Sequence, residues 1–90
     1  MVVDMQVSRS EAIARPKGEL TEETAARLYL TLTPIIDVAP STCVIDLSDV
    51  VEIDDVGASV LAYFVGALRR GGTVVRVEGT MPLPRSGSTL

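Results

Sequence analysis

Apolar and polar residues alternate at the start of the chain. Val3, Met5 and Val7 are separated by Asp4, Gln6 and Ser8, the period of two that sets one face of a strand against a core. Ser8-Arg9-Ser10 reads as a tight turn, and Ala12-Ile13-Ala14 as a second strand ending near Pro16 and Gly18. Together they predict a β-hairpin. The period then lengthens: Ala25, Leu28, Tyr29, Leu32, Ile35 and Ile36 recur at helical spacing. Thr21 is a suitable N-cap, and Glu22 and Glu23 suit the positive end of the helix dipole. Pro34 removes a donor and crowds the preceding turn, so the regular helix is expected to weaken around Leu32, with a turn reaching Pro40.

The run Cys43-Val44-Ile45-Asp46-Leu47 is mostly apolar and β-branched, which suits a central parallel strand buried on both faces. A short acidic turn through Asp54-Asp55 follows and opens a second helix, with Val56, Val60, Leu61, Phe64, Val65 and Leu68 on one side. Gly71-Gly72 stops that helix, and Thr73 to Val77 is the last strand. The predicted order is β-β-α-β-α-β, an α/β fold with a mixed sheet. A right-handed crossover leaves both helices packed on one side of that sheet. Residues 1–79 are expected to form the one domain. Residues 80–90, rich in Pro, Gly and Ser, are expected to be loop or disordered tail.

Composition narrows the function. In 90 residues with net charge −4, Lys17 is the only lysine. No basic stripe exists to neutralise a phosphate backbone or an anionic membrane, so nucleic-acid binding is not expected. No apolar run approaches the roughly 20 residues of a membrane span, and no signal peptide is visible. A cytoplasmic location is therefore expected. The absence of histidine removes the commonest general base and metal ligand. Cys43 stands alone, so it has no internal disulfide partner, and an inert core thiol is its expected state.

The candidate chemistry sits in the acidic turn. A polar side chain there is held by rigid flanks beside free backbone N–H groups. Asp54 and Asp55 admit two readings that can coexist: caps of the second helix, or, for Asp55, a fixed charge aimed at a partner. Gly57 either lets backbone or a partner come close, or serves only helix–strand packing. Ser59 is an alternative phosphosite or an ordinary exposed hydroxyl. Arg69-Arg70 reads as a solvated helix C-terminus that complements the dipole.

The middle of the chain resembles the STAS domain family, the anti-sigma factor antagonists and their relatives. The motifs that carry the resemblance are Gly18-Glu19-Leu20 leading into the first helix, Asp46-Leu47-Ser48, Ile53-Asp54, Gly57, Leu61, Gly71-Gly72 and Val74 to Val77. It spans roughly Val3 to Gly79. In that family the phosphoacceptor is the serine or threonine directly after the turn's aspartate. Here that position is Asp55, which a serine kinase cannot modify, and the usually small next residue is Val56. The family usually continues into a further C-terminal helix, which this chain is expected to lack.

The resemblance implies a non-catalytic, bacterial type of signalling protein. It would bind an anti-sigma factor or kinase through Asp54, Asp55, Val56, Gly57 and Val60, with no cofactor and no metal, and so regulate transcription. An alternative is a cytoplasmic STAS subunit of a membrane transporter, such as a lipid ABC system, gripping the transporter ATPase. A third class, a Mg²⁺-dependent phosphoacceptor of receiver type, needs a further aspartate and a lysine at other strand ends. Asp46 or Asp49 could supply the first, but Lys17 lies at an unsuitable end. An uncovered edge at Val74 to Val77 would invite pairing with another chain, so a homodimer, or stabilisation by a partner, is expected. The alternative is a monomer covered by the tail through Met81 and Leu83.

Overall fold

The computed structural model describes residues 1–79. Its elements run β1 (Val2–Val7), β2 (Glu11–Leu20), α1 (Glu22–Val38), β3 (Thr42–Asp46), β4 (Val50–Ile53), α2 (Asp55–Arg70) and β5 (Val74–Glu78). The expectations for a tail after Gly79, and for Met81 and Leu83 as a cover, lie outside the described residues.

The hairpin forms as its alternation predicts. β1 pairs antiparallel with β2, Val7 opposite Ala12 and Val2 opposite Lys17. The turn closes through Ser8, whose N–H donates to the Glu11 carbonyl at 2.9 Å and whose hydroxyl donates to the same oxygen. β2 then runs on past Pro16 to Leu20. Its first half pairs parallel with β3 and its last residues pair parallel with β4. β5 adds parallel to β3, giving the order β1-β2-β3-β5 with β4 beside the end of β2.

Three expectations change here. First, Val50–Ile53 is a strand, not part of the turn. Val50 and Ile53 are buried, and the pairing with Gly18, Glu19 and Leu20 holds the segment extended. Second, β3 is buried on one face only: Cys43 and Ile45 are buried, whereas Thr42, Val44 and Asp46 are half-exposed. Both helices cover the buried face. The open face is instead polar, with Lys17–Asp4, Arg15–Asp46 and Arg76–Glu78 ion pairs.

Third, α1 does not weaken at Leu32; it continues through Pro34 to Val38. Proline leaves the Leu30 carbonyl without its helical donor. The Thr33 hydroxyl takes over, donating to that oxygen at 2.6 Å. Burial of Ile35 beyond the proline secures the last turn, and Ala39, in the left-handed region, ends it by donating its N–H to the Ile35 carbonyl.

The core is aliphatic. Ala25, Leu28, Leu32 and Ile35 of α1 and Leu61, Phe64 and Leu68 of α2 close over Ala12, Ala14, Leu20, Cys43 and Ile45. Val56, grouped by periodicity with the buried face of α2, is 42% exposed. It lies in the first turn beside Gly57, about 100° around the helix from the side that meets the end of β2.

Candidate functional site

Both helices begin at one end of the sheet, and a single side chain ties their N-termini together. Asp54, the extended N-cap residue of α2, accepts the Gly57 N–H on Oδ1 at 2.8 Å and the Glu22 N–H on Oδ2 at 2.9 Å. Its own N–H donates to the Leu20 carbonyl at 3.2 Å. These N–H donors, Gly57 before Glu22, hold its carboxyl below the usual carboxylate range. Thr21 occupies the N-cap position of α1 as its sequence suggests, but the acceptor for the Glu22 N–H comes from Asp54.

Gly57 belongs to the same knot. It is buried, and a Cβ there would lie 2.1 Å from the Leu20 carbonyl oxygen. Of its two readings, this geometry supports helix–strand packing: α2 crosses the end of β2 at a distance that only glycine permits.

With Asp54 and Gly57 turned inward, the outer surface of the turn is left to Asp55 and Val56. Both are exposed, and no hydrogen bond or ion pair ties the Asp55 side chain to another described residue. One turn further along α2, exposed Ser59 and half-buried Val60 line a groove of about 590 Å³. Its other lining residues are Ala26, Tyr29 and Leu30 of α1 and Tyr63 of α2. The rings of Tyr29 and Tyr63 meet at 5.7 Å between centroids, tilted by 58°. Arg70 lies 5.9 Å from the Tyr63 ring centroid at the far end, within reach of a cation–π contact. Ala26 and Leu30 recur at i and i+4 on the outer side of α1, a signal present in the sequence but masked by the stronger core stripe.

Asp46, at the end of β3, is already engaged. Asp46 Oδ1 accepts the Ser48 hydroxyl at 2.6 Å and the Ser48 N–H at 2.9 Å, and Oδ2 accepts Arg15 Nε at 3.1 Å. These bonds, Ser48 foremost, pull its pKa down to about 2. Lys17 pairs with Asp4 at 2.8 Å on the open face of the sheet. Among the described residues no group of three potential ligands is arranged to hold a metal, and no helix is long and apolar enough to cross a membrane.

The STAS domain profile matches residues 2–85. The fold is similar to the STAS domain of an antisigma-factor antagonist from Rhodobacter sphaeroides, with TM-score 0.77 and 26% identity over 87% of this chain and 85% of that one. It is similar to unphosphorylated SpoIIAA, an anti-sigma factor antagonist of Bacillus, with TM-score 0.71 and 16% identity over 90% and 76%. A protein described as Mglu also matches, with TM-score 0.75 and 26% identity over 86% of this chain. The chain spans only 19% of the length of that protein. No curated protein sequence matches the chain.

Proposed function

The chain belongs to the STAS domain family, and on that premise we propose that it is a non-catalytic protein-binding module. It works in the cytoplasm on an anti-sigma factor, an anti-sigma kinase or a related switch complex. The observation that carries the reading is the division of labour in the turn. Asp54 and Gly57 fix the backbone from inside, which leaves Asp55 and Val56 exposed on a rigid platform beside the Val60 groove. A preorganised exposed patch is economical for recognition, because little conformational freedom is lost on binding.

Asp55 supplies the charge. Phosphoserine carries about −1.5 to −2 charge and three acceptor oxygens, whereas aspartate carries one charge and two oxygens. Asp55 therefore stands as a permanent, partial counterpart of a phosphorylated hydroxyl. The related antagonist SpoIIAA has been solved in unphosphorylated and phosphorylated forms; this chain would be held in one state at that position. The chemistry supports binding in preference to catalysis: among the described residues the Ser48 hydroxyl is bonded to the Asp46 carboxylate, whose pKa of about 2 makes it a poor general base.

The test is a titration of wild type and Asp55→Ser against the anti-sigma factors and kinases of the same genome. The serine variant is expected to bind a kinase at least tenfold more tightly than wild type and to accept phosphate from ATP, with phosphorylation restoring weak binding. Absence of binding by both forms would overturn the proposal. Binding only to a transporter ATPase would transfer the module to the transporter class.

A further inference from the structure

Resting on the protein-binding role, we propose that the groove between α1 and α2 receives an amphipathic helix of the partner, antiparallel to both, with lysine or arginine in its last turn. Leu30 is 71% exposed and Tyr63 61% exposed, and they face each other across the groove with Ala26, Tyr29 and Val60. Scattered apolar residues on a surface need no explanation, but a contiguous concave strip is a different matter. Asp54 joins the two N-termini, so the helices start side by side. Two adjacent helices leave a furrow that a third can fill with ridges packed into grooves. The strip from Ala26 to Leu30, with the turn at Glu22 before it, runs about 12 Å at 1.5 Å per residue, room for about two turns of the incoming helix.

Charge decides the occupant and its direction. Glu22, Glu23 and Asp55 are exposed in the first turns of the two helices, one turn before the groove residues. No cation among the described residues forms an ion pair with them. Asp54 adds a fourth carboxylate. The two helix N-termini contribute only about one unit of positive charge in all, and Arg27, one turn after Glu23, adds one more, so four carboxylates leave this lip negative. The opposite end carries Arg70 against Tyr63. A helix that complements this gradient has basic residues over the acidic lip and acidic residues beside Arg70. Antiparallel placement puts its C-terminal turn over the lip. Cations are stabilised there by the incoming helix's own dipole, and acidic residues at its N-terminus likewise, so helix stability and complementarity ask for the same sequence. The incoming helix would carry its apolar anchors at i, i+4 and i+7, the pattern of groove-bound helices.

The probe is a lactam-bridged 14-residue peptide with Glu in its first turn, Leu at three anchor positions and Lys in its last turn. A second peptide has the charges exchanged, and a third has Gln in place of Leu. Each is titrated into the full 90-residue chain and followed by amide shifts and fluorescence anisotropy. The Lys-last peptide is expected to bind at least tenfold more tightly than the charge-exchanged one, with shifts centred on Ala26, Leu30, Ser59 and Tyr63. The Gln peptide should not bind. Leu30→Gln should weaken the first peptide about tenfold without changing the unfolding midpoint, and Glu23→Lys with Asp55→Lys should erase the charge preference.

No binding, equal binding of both charged peptides, or shifts confined to the β5 edge would overturn the proposal. So would concentration-dependent self-association that shifts the groove residues, which would give the groove to a second copy. A chain ending at Gly79 that binds the peptide far more tightly than the full chain would give it to residues 80–90. Failure of this proposal is separable from failure of the protein-binding role. A cognate kinase that shifts Asp55 and Val56 but leaves Ala26 and Leu30 unmoved keeps the role and removes the groove.

Discussion

The Asp54 carboxylate reaches across 32 positions of sequence to accept the backbone N–H of Glu22 at 2.9 Å. Its other oxygen caps α2 through Gly57 at 2.8 Å. One side chain therefore sets the relative position of two helix N-termini, and with it the mouth of the groove between them. An N-cap ordinarily satisfies donors of its own helix only; this one couples local structure to tertiary packing.

Asp54→Ala should therefore lower the thermal unfolding midpoint more than Asp55→Ala does, because it orphans donors on two helices. Asp54→Asn should lose less, since one amide oxygen still accepts. Hydrogen exchange gives the independent reading: the amides of Glu22 and Gly57 should lose protection together in Asp54→Ala. Loss at Gly57 alone would show that the link to α1 is not sustained in solution.

Gly57→Ala should cost about 3 kcal/mol, at the upper end of overpacking effects. The added Cβ would sit 2.1 Å from a backbone carbonyl oxygen, that of Leu20, and backbone cannot rotate aside as a side chain can. Urea unfolding should show a lower midpoint at nearly unchanged slope. Gly66→Ala is the control. The atom nearest its added Cβ is the flexible guanidinium of Arg70 at 3.3 Å, and alanine is the better helix former, so stability should be equal or higher.

Acid sensitivity should centre on Asp46. Its folded pKa of about 2 lies below the usual value of about 4 for aspartate. A depressed folded pKa contributes stability that is present above the unfolded value and lost as pH falls through the folded one. The loss should therefore fall between about pH 4 and about pH 2, with Asp54 and Asp4, also lowered, acting in the same direction. Unfolding midpoints measured down this range should drop less steeply for Asp46→Asn. Ser48→Ala should give an intermediate slope, since it removes the 2.6 Å hydroxyl bond but leaves the N–H. An Asp46→Asn profile as steep as wild type would assign the acid transition elsewhere.

The passage of α1 through Pro34 should depend on Thr33. Thr33→Val removes the donor to the Leu30 carbonyl and should cost about 1 kcal/mol. Pro34→Ala restores the ordinary backbone donor to that oxygen. Thr33→Val should then cost much less in the Pro34→Ala background than alone, and a double-mutant cycle measures the coupling. Additive effects would mean the hydroxyl bond does not sustain the helix.

The sequence by itself determined the types of six of the seven elements, the mixed α/β class, the aliphatic core and the family. Each of these rests on local periodicity or on motifs that sit together in the chain, such as Asp46-Leu47-Ser48 and Ile53-Asp54. The acidic turn was legible as a site because its residues are consecutive.

What the sequence left open depends on contacts between distant positions. Val50–Ile53 becomes a strand because Gly18 to Leu20 offers it a parallel partner; four residues carry too little pattern alone. Gly57 is fixed by the Leu20 carbonyl, 37 positions away by residue number. Position in the motif separates Asp54 from Asp55, but that Asp54 turns inward to accept from two helices at once depends on Glu22 and Gly57 presenting their N–H groups there. The groove residues Ala26, Leu30 and Tyr63 become one surface only when two helices are laid side by side. Periodicity reports which face of an element is apolar; which faces meet is decided by packing, and the site of this protein lies where they meet.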